Sequence, residues 1–109
     1  TNSGMQVIDK VKDYVMRNYK NPEISLTSAA EFASVSTGYL SGLFKKEAGT
    51  NFVKYLTDVR MEKSMQLLRS TDMKTYEIAY ETGFSNPHYF SVSFKKYTGM
   101  SPSEFRAKE

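Results

Sequence analysis

The sequence predicts an all-α fold of seven helices, arranged as two similar halves joined by a long central helix. Three observations carry that reading. Apolar residues recur at spacings of three and four, Gly and Pro punctuate those runs, and one block of the chain returns fifty residues later. No alternating apolar and polar run of the strand type competes with them.

The elements follow in order. Ile8, Val11, Tyr14, Val15 and Tyr19 share one face over residues 5–19, with Asp9, Lys10, Lys12, Asp13 and Arg17 between them, as an amphipathic helix requires. Residues 1–5 read as a linker or an expression remnant. Asn21-Pro22 ends the first helix, because a residue before Pro is pushed out of the helical region. Ser25 or Thr27 then caps a short helix bearing Ala29, Ala30, Phe32 and Ala33. Ser36 caps the third, which carries Leu40, Leu43 and Phe44 before Gly49 closes it. The fourth, about 51–70, holds Phe52, Tyr55, Leu56, Val59, Ser64, Leu67 and Leu68 with no Gly or Pro inside. Roughly 19 residues at about 1.5 Å each make a rod of about 28 Å. A short fifth helix carries Ile78 and Ala79 and stops at Gly83. Asn86-Pro87 supplies a cap and a first-turn Pro for the sixth, which ends at Gly99, and Ser101-Pro102 repeats the signal for a last helix with Phe105.

The repeat gives these helices an organisation. Shifting by 50 (94 minus 44) lays Tyr39, Ser41, Phe44, Lys45, Lys46 and Gly49 on Tyr89, Ser91, Phe94, Lys95, Lys96 and Gly99, all identical. Just upstream a shift of 49 matches Ala30, Val35 and Ser36 with Ala79, Phe84 and Ser85. Each half is therefore a short helix with a small Ala, a tight turn and a second helix bearing Phe-Lys-Lys. A small residue where two helices cross steeply, followed by a turn of three or four residues, is what a helix-turn-helix requires. The expected architecture is two homeodomain-like three-helix units within one domain of 6–107. The first helix-turn-helix lies at about 26–49, the linker helix at about 51–70 and the second helix-turn-helix at about 75–98.

Composition narrows the functional classes. The 109 residues suit one domain, and 39% hydrophobic content with eight Tyr and seven Phe is enough for a core. There is no Cys, so thiolate zinc modules and Cys nucleophiles are excluded, and a reducing, cytoplasmic setting is expected. Neither a signal-type apolar run at the start nor an 18-residue apolar stretch occurs, so no membrane partner is expected. The net charge of +3 and pI near 9.1 tilt toward polyanionic partners. His88 is the one histidine and has no ligand or nucleophile partner near it in sequence. No catalytic residue, metal or cofactor is expected.

The repeat also marks two candidate recognition faces. On the third helix Gly38, Ser41, Gly42 and Lys45 lie opposite Leu40, Leu43 and Phe44. On the sixth, His88, Ser91, Val92 and Lys95 lie opposite Phe90 and Phe94. A helix of this width enters the major groove of DNA. Base-reading candidates are Asn86, His88, Tyr89, Ser91 and Val92, with Gly38, Ser41 and Gly42. Phosphate candidates are Ser36, Thr37, Tyr39, Lys45, Lys46, Lys95 and Lys96. The second face holds donors, acceptors and methyl groups, whereas the first holds two glycines, so sequence reading is expected mainly from the second. A rod of about 28 Å is close to one duplex turn of about 34 Å, which puts successive major grooves within reach of one chain. Arg60 is read as tying the rod to a neighbouring helix.

The stretch from Tyr39 to Gly49, Tyr55-Leu56 with Arg60, Glu77-Ile78-Ala79, Gly83-Phe84 and the run Tyr89-Phe90 through Gly99, Pro102 and Arg106 together resemble the AraC/XylS regulators, over residues 6–107. Within that family the chain is most similar to the C-terminal output domains of YesN-type response regulators. The resemblance implies bacterial transcription control, two helix-turn-helix subdomains joined by a long helix, and DNA contacts from the third and sixth helices. Expected partners are double-stranded promoter DNA, RNA polymerase and a sensor or receiver domain N-terminal to this segment. One departure stands out. Members of the family commonly carry Arg where this chain has Gly42 and Val92, so bidentate reading of guanine is not expected there. Modest affinity for a single chain follows, raised by paired sites or by dimerisation through another domain. The same departure motivates the alternative, a helix-turn-helix fold used as a protein-interaction module with weak or non-specific DNA binding.

Overall fold

The computed structural model describes residues 3–108, which form seven α-helices and, among those residues, no strand. They are α1 (Ser3–Asn18), α2 (Leu26–Phe32), α3 (Thr37–Ala48), α4 (Phe52–Ser70), α5 (Thr75–Glu81), α6 (Pro87–Thr98) and α7 (Pro102–Lys108). The chain divides into two compact units. One is the chain up to Tyr19 with Glu23–Asp58, and the other is Lys20–Pro22 with the chain from Val59 onward. α1 starts earlier than expected, at Ser3, with Gly4 buried in its first turn. Residues 3–5 are thus helix where a linker was expected, and residues 1 and 2 of that expected linker lie outside the described residues.

In the first unit Ile8, Val11 and Val15 of α1, at helical spacing, pack against α2 and α3. Ser25, not Thr27, caps α2. Its hydroxyl accepts from the Ser28 N–H at 3.1 Å, and the Ser28 hydroxyl accepts from the Ser25 N–H at 2.9 Å. Ala29, Ala30 and Ala33 are buried and small enough to let α3 approach. Phe32 turns outward and stacks on Tyr14, ring centroids 4.7 Å apart. The turn is closed by the Val35 N–H donating to the Ala30 carbonyl at 3.0 Å, with Ser34 left-handed at φ 59°. Ser36 caps α3 by accepting from the Tyr39 N–H at 3.1 Å. Leu40 and Phe44 are fully buried, and Phe44 meets Phe52 and Tyr55 edge-on at 5.8 and 5.4 Å.

The second unit repeats the arrangement with different residues. Lysine offers no acceptor, so at the start of α5 it is the Glu77 carboxylate that accepts from the Lys74 N–H, at 2.8 Å. The Phe84 N–H donates to the Ala79 carbonyl at 2.9 Å, and Gly83 takes the left-handed position at φ 94°. Asn86 Oδ1 then accepts from the Tyr89 N–H at 3.0 Å. One residue, Val35, separates Ser34 from its cap, whereas Phe84 and Ser85 separate Gly83 from Asn86. The structural counterpart of Ser36 is therefore Asn86, and Ser85 is the inserted residue. Both α3 and α6 run for 12 residues and close on left-handed glycines, Gly49 and Gly99.

Met61, Leu68, Ile78, Ala79, Phe84, Phe90, Phe94 and Phe105 make the second core. Its two buried hydroxyls satisfy each other's surroundings. Thr82 Oγ1 donates to the Ile78 carbonyl at 2.7 Å, and Ser64 Oγ donates to the Arg60 carbonyl at 2.7 Å while lying 3.1 Å from Thr82 Oγ1. Arg60 donates to the Asn21 carbonyl at 2.9 Å and covers the Phe84 ring, so it ties α4 to the segment after α1 and to an aromatic ring. Arg106 of α7 organises the junction of α4 and α5. Its guanidinium donates to the carbonyls of Leu68, in the last turn of α4, and of Thr71 and Met73 in the connection that follows, at 3.1, 3.0 and 2.8 Å. Ser101 and Glu104 form a reciprocal capping box for α7, and the hydrogen bond from the Ser101 N–H holds the Glu104 carboxyl below the usual carboxylate range.

Two stability changes follow. Exchanging the left-handed residues should act in opposite directions: Ser34→Gly stabilises by about 0.5–1 kcal/mol, and Gly83→Ser destabilises by about 1–2 kcal/mol, because an L side chain is strained at that φ. Removing the three charge-assisted hydrogen bonds with Arg106→Ala should cost about 2 kcal/mol. Arg106→Lys should restore only part of it, since an ammonium cannot match the planar fork. Urea unfolding midpoints at unchanged slope measure both.

Candidate nucleic-acid interface

α3 and α6 each bury one stripe and expose another. Residue 42 stands two positions from both Leu40 and Phe44, and residue 92 two positions from both Phe90 and Phe94. At about 100° per residue each lies roughly 200° around from its buried neighbours, at the centre of the outward face. The face is therefore fixed by which rings are buried.

On α3 the outward face holds Gly38, Gly42 and Lys45, all exposed, with Ser41 partly buried at its side. A Cβ built at either glycine would meet nothing within 4 Å, and neither backbone is left-handed. No packing or conformational need explains these two glycines, although each is worth about 0.8–1 kcal/mol less than Ala in a helix interior. They floor a shallow hollow shared with Ser3, Gly4, Tyr39 and Lys46. Thr37 and Ser36 are exposed at the helix start, and Lys46 beside Lys45 at its end.

On α6 the corresponding face is furnished. His88 is exposed, Val92 is 53% exposed and Tyr89 62% exposed, with Lys95 and Lys96 exposed one turn further on and Ser91 partly buried. His88, Ser91, Val92, Lys95 and Lys96 line one shallow groove whose wall is mostly carbon. Ser101 completes it. That residue was read from the sequence only as a cap for α7, although its place two residues beyond the Gly99 turn is the signal that the chain folds back along α6.

The capping residues occupy a different position in this chemistry. Asn86 and Ser36 sit at the edges of their faces with a side-chain oxygen already accepting from Tyr89 and Tyr39 N–H groups. Asn86 keeps the two donors of its amide and one further lone pair on Oδ1. Tyr89 leans on Phe84, centroids 6.2 Å apart, with most of its surface free, and Tyr39 is 49% exposed. Phosphate-type and base-type candidates are brought onto one face in each unit.

Among the described residues no group of three or more His, Cys, Asp or Glu side chains is placed to hold a metal ion. No helix among them is long and apolar enough to cross a membrane.

A family model described as a helix-turn-helix domain matches residues 29–108. The transcriptional regulatory protein YesN of Bacillus subtilis is 44% identical over 97% of this chain, which covers 30% of that protein. The C-terminal domain of AraT, a response regulator from Geobacillus stearothermophilus, superposes with a TM-score of 0.92 at 39% identity, covering 94% of this chain and 85% of that one. A Chromobacterium violaceum transcriptional regulator described as containing an AraC-type DNA-binding domain gives 0.85 at 29% identity, covering 98% and 96%. The chain spans about a third of the length of the curated relatives it matches. With a match over most of its residues and close superposition on those solved domains, the chain belongs to the AraC-type helix-turn-helix family, alongside the C-terminal domains of response regulators.

Proposed function

We propose that this chain is the sequence-reading output module of a bacterial transcription regulator, with α3 and α6 placed in successive major grooves of promoter DNA. One observation carries the reading: the two reading helices repeat each other in length, cap and buried Phe, and each turns outward a face that ends in two lysines. Lysines at that end supply phosphate contacts, and the residues before them face base edges. The exposed tyrosines extend the phosphate contacts along the rim.

The two units contribute differently. α6 reads bases through His88, Ser91 and Val92, and Tyr89 and the amide of Asn86 add donors. α3, bare at Gly38 and Gly42, brings its backbone close to the duplex and anchors it through Thr37, Tyr39, Lys45 and Lys46, with Ser41 as its one polar side chain aimed at bases. A receiver or sensor domain precedes this segment in the full protein, which works in the cytoplasm and contacts RNA polymerase on the promoter. The length of the matching relatives, about three times that of this chain, supports the additional domain.

The bare face of α3 favours a second reading as well, in which the fold serves a protein partner and binds DNA without preference. Binding to duplexes selected from a random pool, followed across a salt series, separates the two. The transcription reading expects log affinity to fall linearly with log salt, with a slope of about −0.9 per phosphate neutralised. Lys96→Ala should lower that slope by about one and weaken all sequences alike, whereas His88→Ala with Val92→Ala should erode the preference for the selected sequence. Binding that ignores salt, or selection that enriches nothing, sinks it.

A further inference from the structure

Val92 has no evident structural reason to be where it is. It stands opposite Phe90 and Phe94, which are fully buried, while it is itself 53% exposed at the centre of the α6 face. It contributes nothing to the second core. A β-branched residue also loses rotamer freedom in a helix, so an exposed interior position disfavours it relative to Ala. Its surroundings are specific. His88 lies one turn before it and Lys96 one turn after, and with Ser91, Lys95 and Ser101 they line a groove whose wall is mostly carbon, both lysines being exposed.

That combination fits one feature of a duplex. An apolar centre beside cationic side chains matches a methyl group on a base edge next to the phosphate backbone, and among the four bases only thymine presents a methyl in the major groove, at C5. We infer that Val92 reads a thymine C5-methyl, making α6 select thymine over cytosine at one operator position. The inference rests on the DNA-binding reading above and deepens it. An arginine at this position would instead grip the two acceptors of guanine. α3 has no counterpart, because Gly42 offers no carbon beyond its backbone, so the methyl contact belongs to the second unit alone.

Deoxyuridine differs from thymidine in the base only by that methyl, which gives a direct test. A duplex recovered by selection from a random pool is resynthesised with each thymine in turn replaced by deoxyuridine, and binding is measured for the natural chain and for Val92→Ala. Alanine is the strongest helix former, so the variant keeps α6 intact, and circular dichroism checks it. One replacement should weaken the natural chain by about three- to fivefold, the scale of one buried methyl. The same replacement should leave Val92→Ala unaffected, with every other position responding alike in both chains. Restoring a methyl by placing 5-methylcytosine at that position, paired with guanine, should bind the natural chain better than unmethylated cytosine does. If the selected duplex is bound with sequence preference but no deoxyuridine penalty depends on Val92, the inference is overturned while the DNA-binding reading stands. Absence of any sequence preference overturns both.

Discussion

Each reading helix is held by a phenylalanine, at matching positions 44 and 94, that has no contact with water. Phe44 is gripped by Phe52 and Tyr55, and Phe94 by Phe90 and Phe105, in edge-on or tilted ring contacts of 5.4–5.8 Å. Such a residue is worth about 3–5 kcal/mol against alanine, a large share of the stability of a small domain. Its burial also settles rotation. Since successive side chains advance by about 100°, fixing one ring inside fixes which residues face out. The position of every candidate contact, from Gly38 to Lys96, follows from that constraint.

The turn before each reading helix fixes where that helix starts, and the two units reach the same end by different means. In both, the amide immediately after the left-handed residue closes onto an alanine carbonyl, Val35 on Ala30 and Phe84 on Ala79. The first unit tolerates a serine in the left-handed region and proceeds directly to its cap. The second uses glycine there and then spends an additional residue, Ser85, before Asn86 begins α6. Because caps and closing glycines bracket 12 residues in each case, the insertion is absorbed wholly by the turn. The recognition surface is thereby insulated from variation in the loop that precedes it.

Much of this was legible in the sequence because the signals are local. A cap, a Pro at the first helical position, a closing Gly and a period of three to four act within one turn of chain, and the identity of Tyr39–Gly49 with Tyr89–Gly99 at six positions exposed the duplication. What escaped depends on contacts far apart in the chain. Arg106 reaches carbonyls 33 to 38 residues away. Met61 is fully buried although the expected stripe passed over it, because α4 leaves the first core at Asp58 and serves the second from Val59, so no single period describes it. The pairing of Ser36 with Ser85 by identity was misleading for a related reason: hydrogen bonding, not residue type, defines which residue is the cap. Ser101 joined the α6 groove only once the chain was seen to fold back after Gly99.

The difference between the units is chemical rather than architectural. Backbone geometry, cap and buried ring agree, yet one outward face is nearly bare and the other carries imidazole, hydroxyl, methyl and ammonium groups. The central claim is that these faces, and not the remaining surface, meet DNA. Backbone-amide resonances of the chain, followed by NMR as a selected duplex is added, test it most directly. The account predicts the largest changes within residues 36–46 and 86–96, with the broader set in the second stretch. Changes concentrated instead on α1 or on the exposed Tyr76 and Tyr80 of α5, or no changes at all, would contradict it.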